Sequence, residues 1–161
     1  MKRCATVLAV FGGALLAAGL NQGADTPRSP AGSPEDANGT DLAKMQGDWN
    51  AVHMVSEGFT IPDDDAQALF RTVKDRDYAV SRYDRVVGKG TFTIDATKKP
   101  RTINANPSTG AAKGKPMLGI YEIDDKAFKV CFAVPGKPRP TDFTAPEGSG
   151  RTLTIWEHER K

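Results

Sequence analysis

The sequence predicts an all-β domain with one short helix, and two patterns carry this prediction. About eight short strand-like runs follow one another between Trp49 and His158, separated by brief polar or glycine-containing breaks. Within the runs apolar and polar residues alternate, as in residues 128–132, where phenylalanine and valine alternate with Lys129 and Cys131. Each strand therefore has one apolar face. Antiparallel strands that bury one face close into a small barrel or stack as a sandwich.

The strand-like runs cover residues 49–55, 72–74, 78–83, 86–95, 102–105, 116–123, 126–133 and 153–158. After the first run, Pro62 and three aspartates predict a short helix over residues 62–70, because proline and acidic side chains favour the first helical turn. Gly88 and Gly90 lie within one run and predict a sharp bend or a β-bulge, which helps a sheet to close. We therefore expect a small antiparallel eight-stranded barrel.

Residues 1–24 have the pattern of a secretory signal peptide. Two basic residues follow Met1, and residues 4–20 then contain no charge and no proline. Small residues permit cleavage after Gly19 or after Ala24. An uncleaved anchor is the alternative, but the apolar run is barely as long as the roughly 20 residues of a spanning helix. We expect an exported protein, periplasmic or extracellular, with no stable membrane association after cleavage.

Removal of this leader changes the charge and the cysteine content. The chain has 22 Lys and Arg residues against 20 Asp and Glu residues, and the leader contains Lys2 and Arg3 but no acid. The remaining chain therefore has 20 basic and 20 acidic residues, which argues against a nucleic-acid partner. Cys4 is removed as well, so that Cys131 has no internal disulfide partner.

Two further segments have a composition unlike that of the strands. Residues 25–40 are rich in Pro, Gly, Ser, Asp and Asn and predict a flexible linker, followed by a domain over residues 41–161. A short helical turn is expected over residues 41–46. Residues 134–150 form a long proline-containing loop, which we expect to cover one end of the barrel with Phe143 as its plug.

Six stretches resemble an uncharacterised family of lipocalin-like secreted domains that is expanded in planctomycete bacteria. They are MQGDW (45–49), FTIDATKKPRTI (92–103), GIYEI (119–123), FKVC (128–131), RPTDF (139–143) and GSGRTL (148–153). They follow one another in the expected order over residues 42–158. The resemblance implies a lipocalin-like barrel and a location outside the cytoplasm. The family has no established activity, ligand or catalytic residues.

The triplet Gly47-Asp48-Trp49 also resembles the Gly-x-Trp motif of the wider lipocalin group. In lipocalins this tryptophan plugs the closed end of the barrel, and the resemblance implies that role for Trp49. A basic residue near the end of the last strand stacks on this tryptophan in lipocalins. Arg160 is the candidate for that contact in this chain.

The sequence contains no constellation that predicts catalysis. No serine lies in a Gly-x-Ser-x-Gly setting. The two histidines, His53 and His158, lie at opposite ends of the domain sequence, and residues 63–65 lack the alternating acids and glycine of a calcium loop. We therefore expect a non-enzymatic protein with no catalytic residue, no metal ligand and no cofactor.

The expected function is a binding module for a small apolar or amphipathic ligand inside the barrel. This expectation rests on the fold and on export, and fold alone does not fix function. The alternative is an envelope module that binds a protein partner through residues 135–150, and a hydrolase of envelope polymers is the least favoured reading. The candidate lining residues are Phe92, Ile94, Ile120, Phe128, Val130 and Phe132.

Overall fold

Eight antiparallel strands close into a barrel in the computed structural model, which describes residues 33–158. The strands are β1 (Gly47–Ser56), β2 (Phe59–Ile61), β3 (Leu69–Lys74), β4 (Asp77–Arg82), β5 (Arg85–Asp95), β6 (Arg101–Pro107), β7 (Met117–Ile123), β8 (Ala127–Ala133) and β9 (Arg151–His158). Each strand from β3 to β9 pairs with the next, and β1 pairs with both β3 and β9. The predicted eight-stranded barrel is therefore confirmed. The additional strand β2 forms a hairpin with β1 outside the ring.

Helix α1 spans Pro34–Met45 and begins earlier than the predicted turn. The Ser33 hydroxyl accepts a hydrogen bond from Asp36 N at 3.2 Å, and proline and acidic residues fill the first turn. These are favourable N-terminal residues, so the segment expected to end the linker is helical from Pro34. The predicted signal peptide, the first part of the predicted linker and Arg160 lie outside the described residues. Within residues 33–158, no helix is long and apolar enough to span a membrane.

One end of the barrel, here called the α1 end, is covered by this helix. Three polar contacts join α1 and the residue that follows it to the turns there: Ala96 N donates to Asn38 Oδ1 (2.8 Å), Lys44 Nζ pairs with Asp125 Oδ1 (2.8 Å) and Asp75 N donates to Gln46 Oε1 (2.6 Å). These turns connect β5 to β6, β7 to β8 and β3 to β4. The opposite end, here called the loop end, carries the longer connections and helix α2 (Asp63–Gln67).

The predicted helix after the first strand exists, but its predicted C-terminal part was wrong. Leu69 and Phe70 belong to β3, where Leu69 pairs with Arg82 and packs against the core. Leu69, Arg71 and Val73 share one face of this strand because side chains alternate. Burial of that face inside the barrel extends the strand through two residues that the sequence assigned to the helix.

The bulge expected at the glycines of β5 is confirmed. Val80 of β4 pairs with Gly88, whereas the next residue, Ser81, pairs with Val86. Val87 is therefore the extra residue, and the register shifts at this point. Such a shift increases the local twist and helps the sheet to curve.

The long loop between β8 and β9 does not cover an end of the barrel, which corrects the expectation from sequence. It lies on the outer face of β6, β7 and β8. The Arg139 guanidinium donates from Nη1 to the carbonyl oxygens of Ile103 (3.0 Å) and Gly119 (2.6 Å), and from Nη2 to Asn104 Oδ1 (2.7 Å). Phe143 lies over the outward-facing Lys129, with Nζ 4.7 Å from the ring centroid, and is not a plug.

Candidate functional site

Aromatic side chains fill the α1 end of the barrel interior. Trp49 is fully buried there, and its Nε1 donates a 3.0 Å hydrogen bond to the carbonyl oxygen of Met45 at the end of α1. The indole stacks on the His158 imidazole with 3.7 Å between ring centroids, and Phe128 meets it edge-on at 5.9 Å. The sequence made Arg160 the candidate for a stacking contact on Trp49, but Arg160 lies outside the described residues. In the structure, His158 makes a stacking contact of this kind.

Five of the six candidate lining residues point into the barrel. Phe92, Phe128 and Val130 are buried members of the core cluster. Ile94 and Phe132 are partly buried and pack against that cluster. The interior is therefore partly filled by its own side chains, which is common in small barrels.

Ile120 does not line the interior, which corrects its assignment. Tyr121 pairs with Val130, and both belong to the core cluster inside the barrel. The adjacent pair, Ile120 and Cys131, must face outward because successive side chains alternate. The long loop buries both of them, and Cys131 Sγ donates to the carbonyl oxygen of Thr144 at 3.6 Å.

Arg71 is an interior residue that sequence reasoning missed. It lies on the inward face of β3, opposite Trp49 of β1 and Val80 of β4, and is only 4% exposed. Its guanidinium carbon lies 5.0 Å from the ring centroid of Phe128, 5.2 Å from that of Tyr78 and 6.0 Å from that of Phe92. An aromatic cluster thus surrounds a positive charge in the interior of the barrel.

The Arg71 charge has no carboxylate partner among residues 33–158. Its Nε is buried and makes no hydrogen bond to the described part of the chain. Burial lowers the pKa of Arg71 to about 10, so the side chain remains protonated at neutral pH. Burial also raises the pKa of Tyr78, and the neighbouring Arg71 charge opposes that rise. Within residues 33–158, the barrel interior therefore holds the Arg71 cation without a carboxylate to balance it.

At the loop end the interior face of β3, β4 and β8 is apolar but incompletely covered. Leu69, Val80 and Phe132 point into the barrel and are only partly buried. At Gly88, which pairs with Val80, an added Cβ would meet no atom within 4 Å. At Gly119, by contrast, an added Cβ would lie 2.6 Å from Cδ1 of Phe132. Space therefore remains beside Gly88, whereas Phe132 occupies the region beside Gly119.

A basic cleft of about 380 Å³ lies outside the barrel, beside the long loop. Its rim includes Lys98, Lys99 and Arg139. The Arg139 guanidinium already donates to three oxygen atoms, and Lys98 Nζ lies 3.8 Å from a carboxylate oxygen of Asp95. The charges of this cleft are therefore partly satisfied within the protein, unlike that of Arg71.

Potential metal ligands do not come together in the part of the chain that the structure describes: no three His, Cys, Asp or Glu side chains cluster there. His53 faces Ile155 on β9, and His158 is stacked on Trp49. Comparison of the chain with protein-family models, with curated proteins and with solved structures returns no match. A functional proposal therefore depends on the site geometry and on the sequence.

Proposed function

We propose that this chain is an exported, non-catalytic binding protein that holds a small amphipathic ligand inside the barrel. The observation that carries the proposal is the incompletely covered apolar interior at the loop end, beside Gly88, Val80 and Leu69. Small-molecule sites are concave and mostly apolar, with a few polar groups that orient the ligand. Arg71 supplies such a polar group below the apolar wall.

The loop end is the entrance in this proposal. Helix α1 and the stacked Trp49 and His158 side chains occupy the opposite end. The leader-like residues 1–24 favour an extracytoplasmic location, as proposed from the sequence. The alternative partner-binding loop is held against the outer face of the barrel by Arg139, so the contacts favour the small-ligand proposal.

A neutral polarity-sensitive dye such as Nile red tests the proposal. We expect its fluorescence to rise on titration with the purified protein, because a dye that enters an apolar cavity leaves water. Gly88→Leu places an apolar side chain in the open space. A dye that binds there must displace this side chain and lose its burial, which is worth about 1.5–3 kcal/mol, so dye binding should weaken about tenfold or more. Gly39→Leu is the matched control because Gly39 is exposed on α1 and has open space around it.

Equal dye affinity for the Gly88 and Gly39 variants would contradict a site inside the barrel. Thermal unfolding of both variants shows whether each retains its fold before the comparison is made. Native mass spectrometry of protein purified from its own source gives a second readout. A retained small molecule supports the proposal, and its displacement by Nile red would place both ligands in one site.

A further inference from the structure

We propose that the ligand carries a single carboxylate and that this group binds Arg71 while the apolar part extends toward the loop end. This inference rests on the proposed function and names the class of ligand. The two observations behind it are the buried guanidinium, which has no carboxylate partner within residues 33–158, and the apolar face above it.

A buried charge without a partner is unfavourable, because it has lost its hydration. Buried charges in proteins are therefore paired or bound to ligands. Arg71 is 4% exposed and has no ion pair within residues 33–158. Its Nε–H points to no acceptor in that part of the chain. The site is therefore electrostatically incomplete without an anion.

The aromatic rings around Arg71 compensate the charge only in part. Phe128, Tyr78 and Phe92 lie within 6.0 Å of the guanidinium carbon and attract the cation through their ring faces. Ring faces are weak acceptors, so the strong N–H donors along the guanidinium edge are not satisfied by them. A carboxylate presents two oxygens in the plane that this edge requires and can accept two parallel hydrogen bonds.

The charge balance favours a monoanion. Three other arginines on barrel strands already have carboxylate partners: Arg82 pairs with Asp65 at 2.8 Å, Arg101 with Asp41 at 3.3 Å and Arg151 with Asp142 at 3.4 Å. Arg71 therefore contributes a single uncompensated positive charge to the interior. A carboxylate neutralises that charge, whereas a dianionic phosphate monoester would leave one negative charge in an apolar interior.

Calorimetric titration with octanoate and octanol tests this inference, because the two molecules share an apolar tail and differ in the head group. We expect octanoate to bind wild-type protein about tenfold or more tightly than octanol, the effect of one hydrogen bond to a charged group. Arg71→Met should abolish this preference while octanol binding remains. Arg76→Met, at an exposed arginine in the turn between β3 and β4 at the α1 end, should leave the preference unchanged.

Arg71→Met is expected to fold, since it removes an unpaired buried charge and keeps a long apolar stem. The comparison of octanoate with octanol on wild-type protein decides the question even without this variant. Equal binding of the two molecules, or an unchanged preference in Arg71→Met, would overturn the inference and leave the proposed binding function intact. Absence of binding by octanoate, octanol and Nile red alike would overturn both.

Discussion

The Tyr121 hydroxyl donates a 2.7 Å hydrogen bond to Asp41 Oδ2 and thereby joins β7 to helix α1. Tyr121 is fully buried, and Asp41 is only 6% exposed. Arg101 Nη1 lies 3.3 Å from the same carboxylate oxygen and supplies its counter-charge. Burial, together with the hydrogen bond and the charge of Asp41, raises the pKa of Tyr121 well above its usual range, so the hydroxyl remains a donor.

Tyr121→Phe should therefore destabilise the barrel. The substitution keeps the ring in the core but removes the hydroxyl that donates to the buried Asp41 carboxylate, which costs about 1–3 kcal/mol. Urea unfolding followed by far-ultraviolet circular dichroism measures the change in the free energy of unfolding. Tyr83→Phe is the control, because Tyr83 is 67% exposed. Equal stability of the two variants would show that the bond to Asp41 does not stabilise the fold.

Gly88 and Gly119, both on the inward face of the barrel, should respond differently to an added methyl group. Gly119→Ala places a Cβ 2.6 Å from Phe132 Cδ1 and 2.8 Å from the carbonyl oxygen of Cys131. Such overpacking typically costs about 1–3 kcal/mol. Gly88→Ala meets no atom within 4 Å and should be neutral or stabilising by about 0.4–1 kcal/mol, because alanine restricts the unfolded chain.

Chemical denaturation of both alanine variants against wild-type protein measures this difference. A loss of stability at Gly88 as large as that at Gly119 would mean that the space beside Gly88 is already filled. That result would also count against the proposed ligand site.

The alternation of apolar residues predicted strands with one buried face, which a barrel or a sandwich can use, and the strand count, the glycines of β5 and the family resemblance led to the barrel. Arg71 was missed because the boundary between helix and strand was misplaced. Residues 69, 71 and 73 share the interior face of β3. The sequence interpretation ended a helix at Phe70 and began the strand at Thr72, so Arg71 fell between two elements. Proline and aspartates in residues 62–65 gave a real helix signal, but they do not define where the helix ends.

Ile120 illustrates a different limit. In β7 both faces are covered, the inner face by the core and the outer face by a loop that is distant in sequence. A strand buried on both faces loses the contrast that assigns a residue to the interior. Only the register with Cys131 and the position of Arg139 show that Ile120 faces outward.

Arg139 should control the accessibility of Cys131. Its three hydrogen bonds fasten the long loop over β6 and β7, and the loop covers the cysteine through Thr144. Burial raises the pKa of the Cys131 thiol, which further slows its reaction. Arg139→Ala removes hydrogen bonds worth about 1.5–3 kcal/mol each to a charged group, so opening of the loop should become about tenfold or more frequent.

The rate of reaction of Cys131 with a thiol reagent under native conditions measures this opening. All variants carry the additional substitution Cys4→Ser, so that only the Cys131 thiol can react with the reagent. Arg85→Ala provides an arginine control away from the loop. An unchanged rate in Arg139→Ala would show that other contacts hold the loop in place.

Asp124 should make the stability of the β7–β8 turn depend on pH. Its Oδ1 accepts hydrogen bonds from the backbone N–H groups of Lys126 and Ala127, both at 2.8 Å. These bonds, that from Lys126 first, lower the pKa of Asp124 below its ordinary value. The unfolded chain therefore binds more protons than the folded chain at acid pH. The stabilisation from Asp124 is present above the ordinary pKa of about 3.9, and it is lost as the pH falls through the lower pKa of the folded state.

Asp124→Asn should consequently reduce stability at neutral pH, and its difference from wild-type protein should shrink as the pH falls from about 7 to about 3. Urea unfolding at several pH values measures this difference, with Asp64→Asn, in the first turn of α2, as a comparison. A difference that stays constant over this range would show that the carboxylate charge does not strengthen the turn. A difference that grows toward acid pH would reverse the expected sign and contradict the lowered pKa.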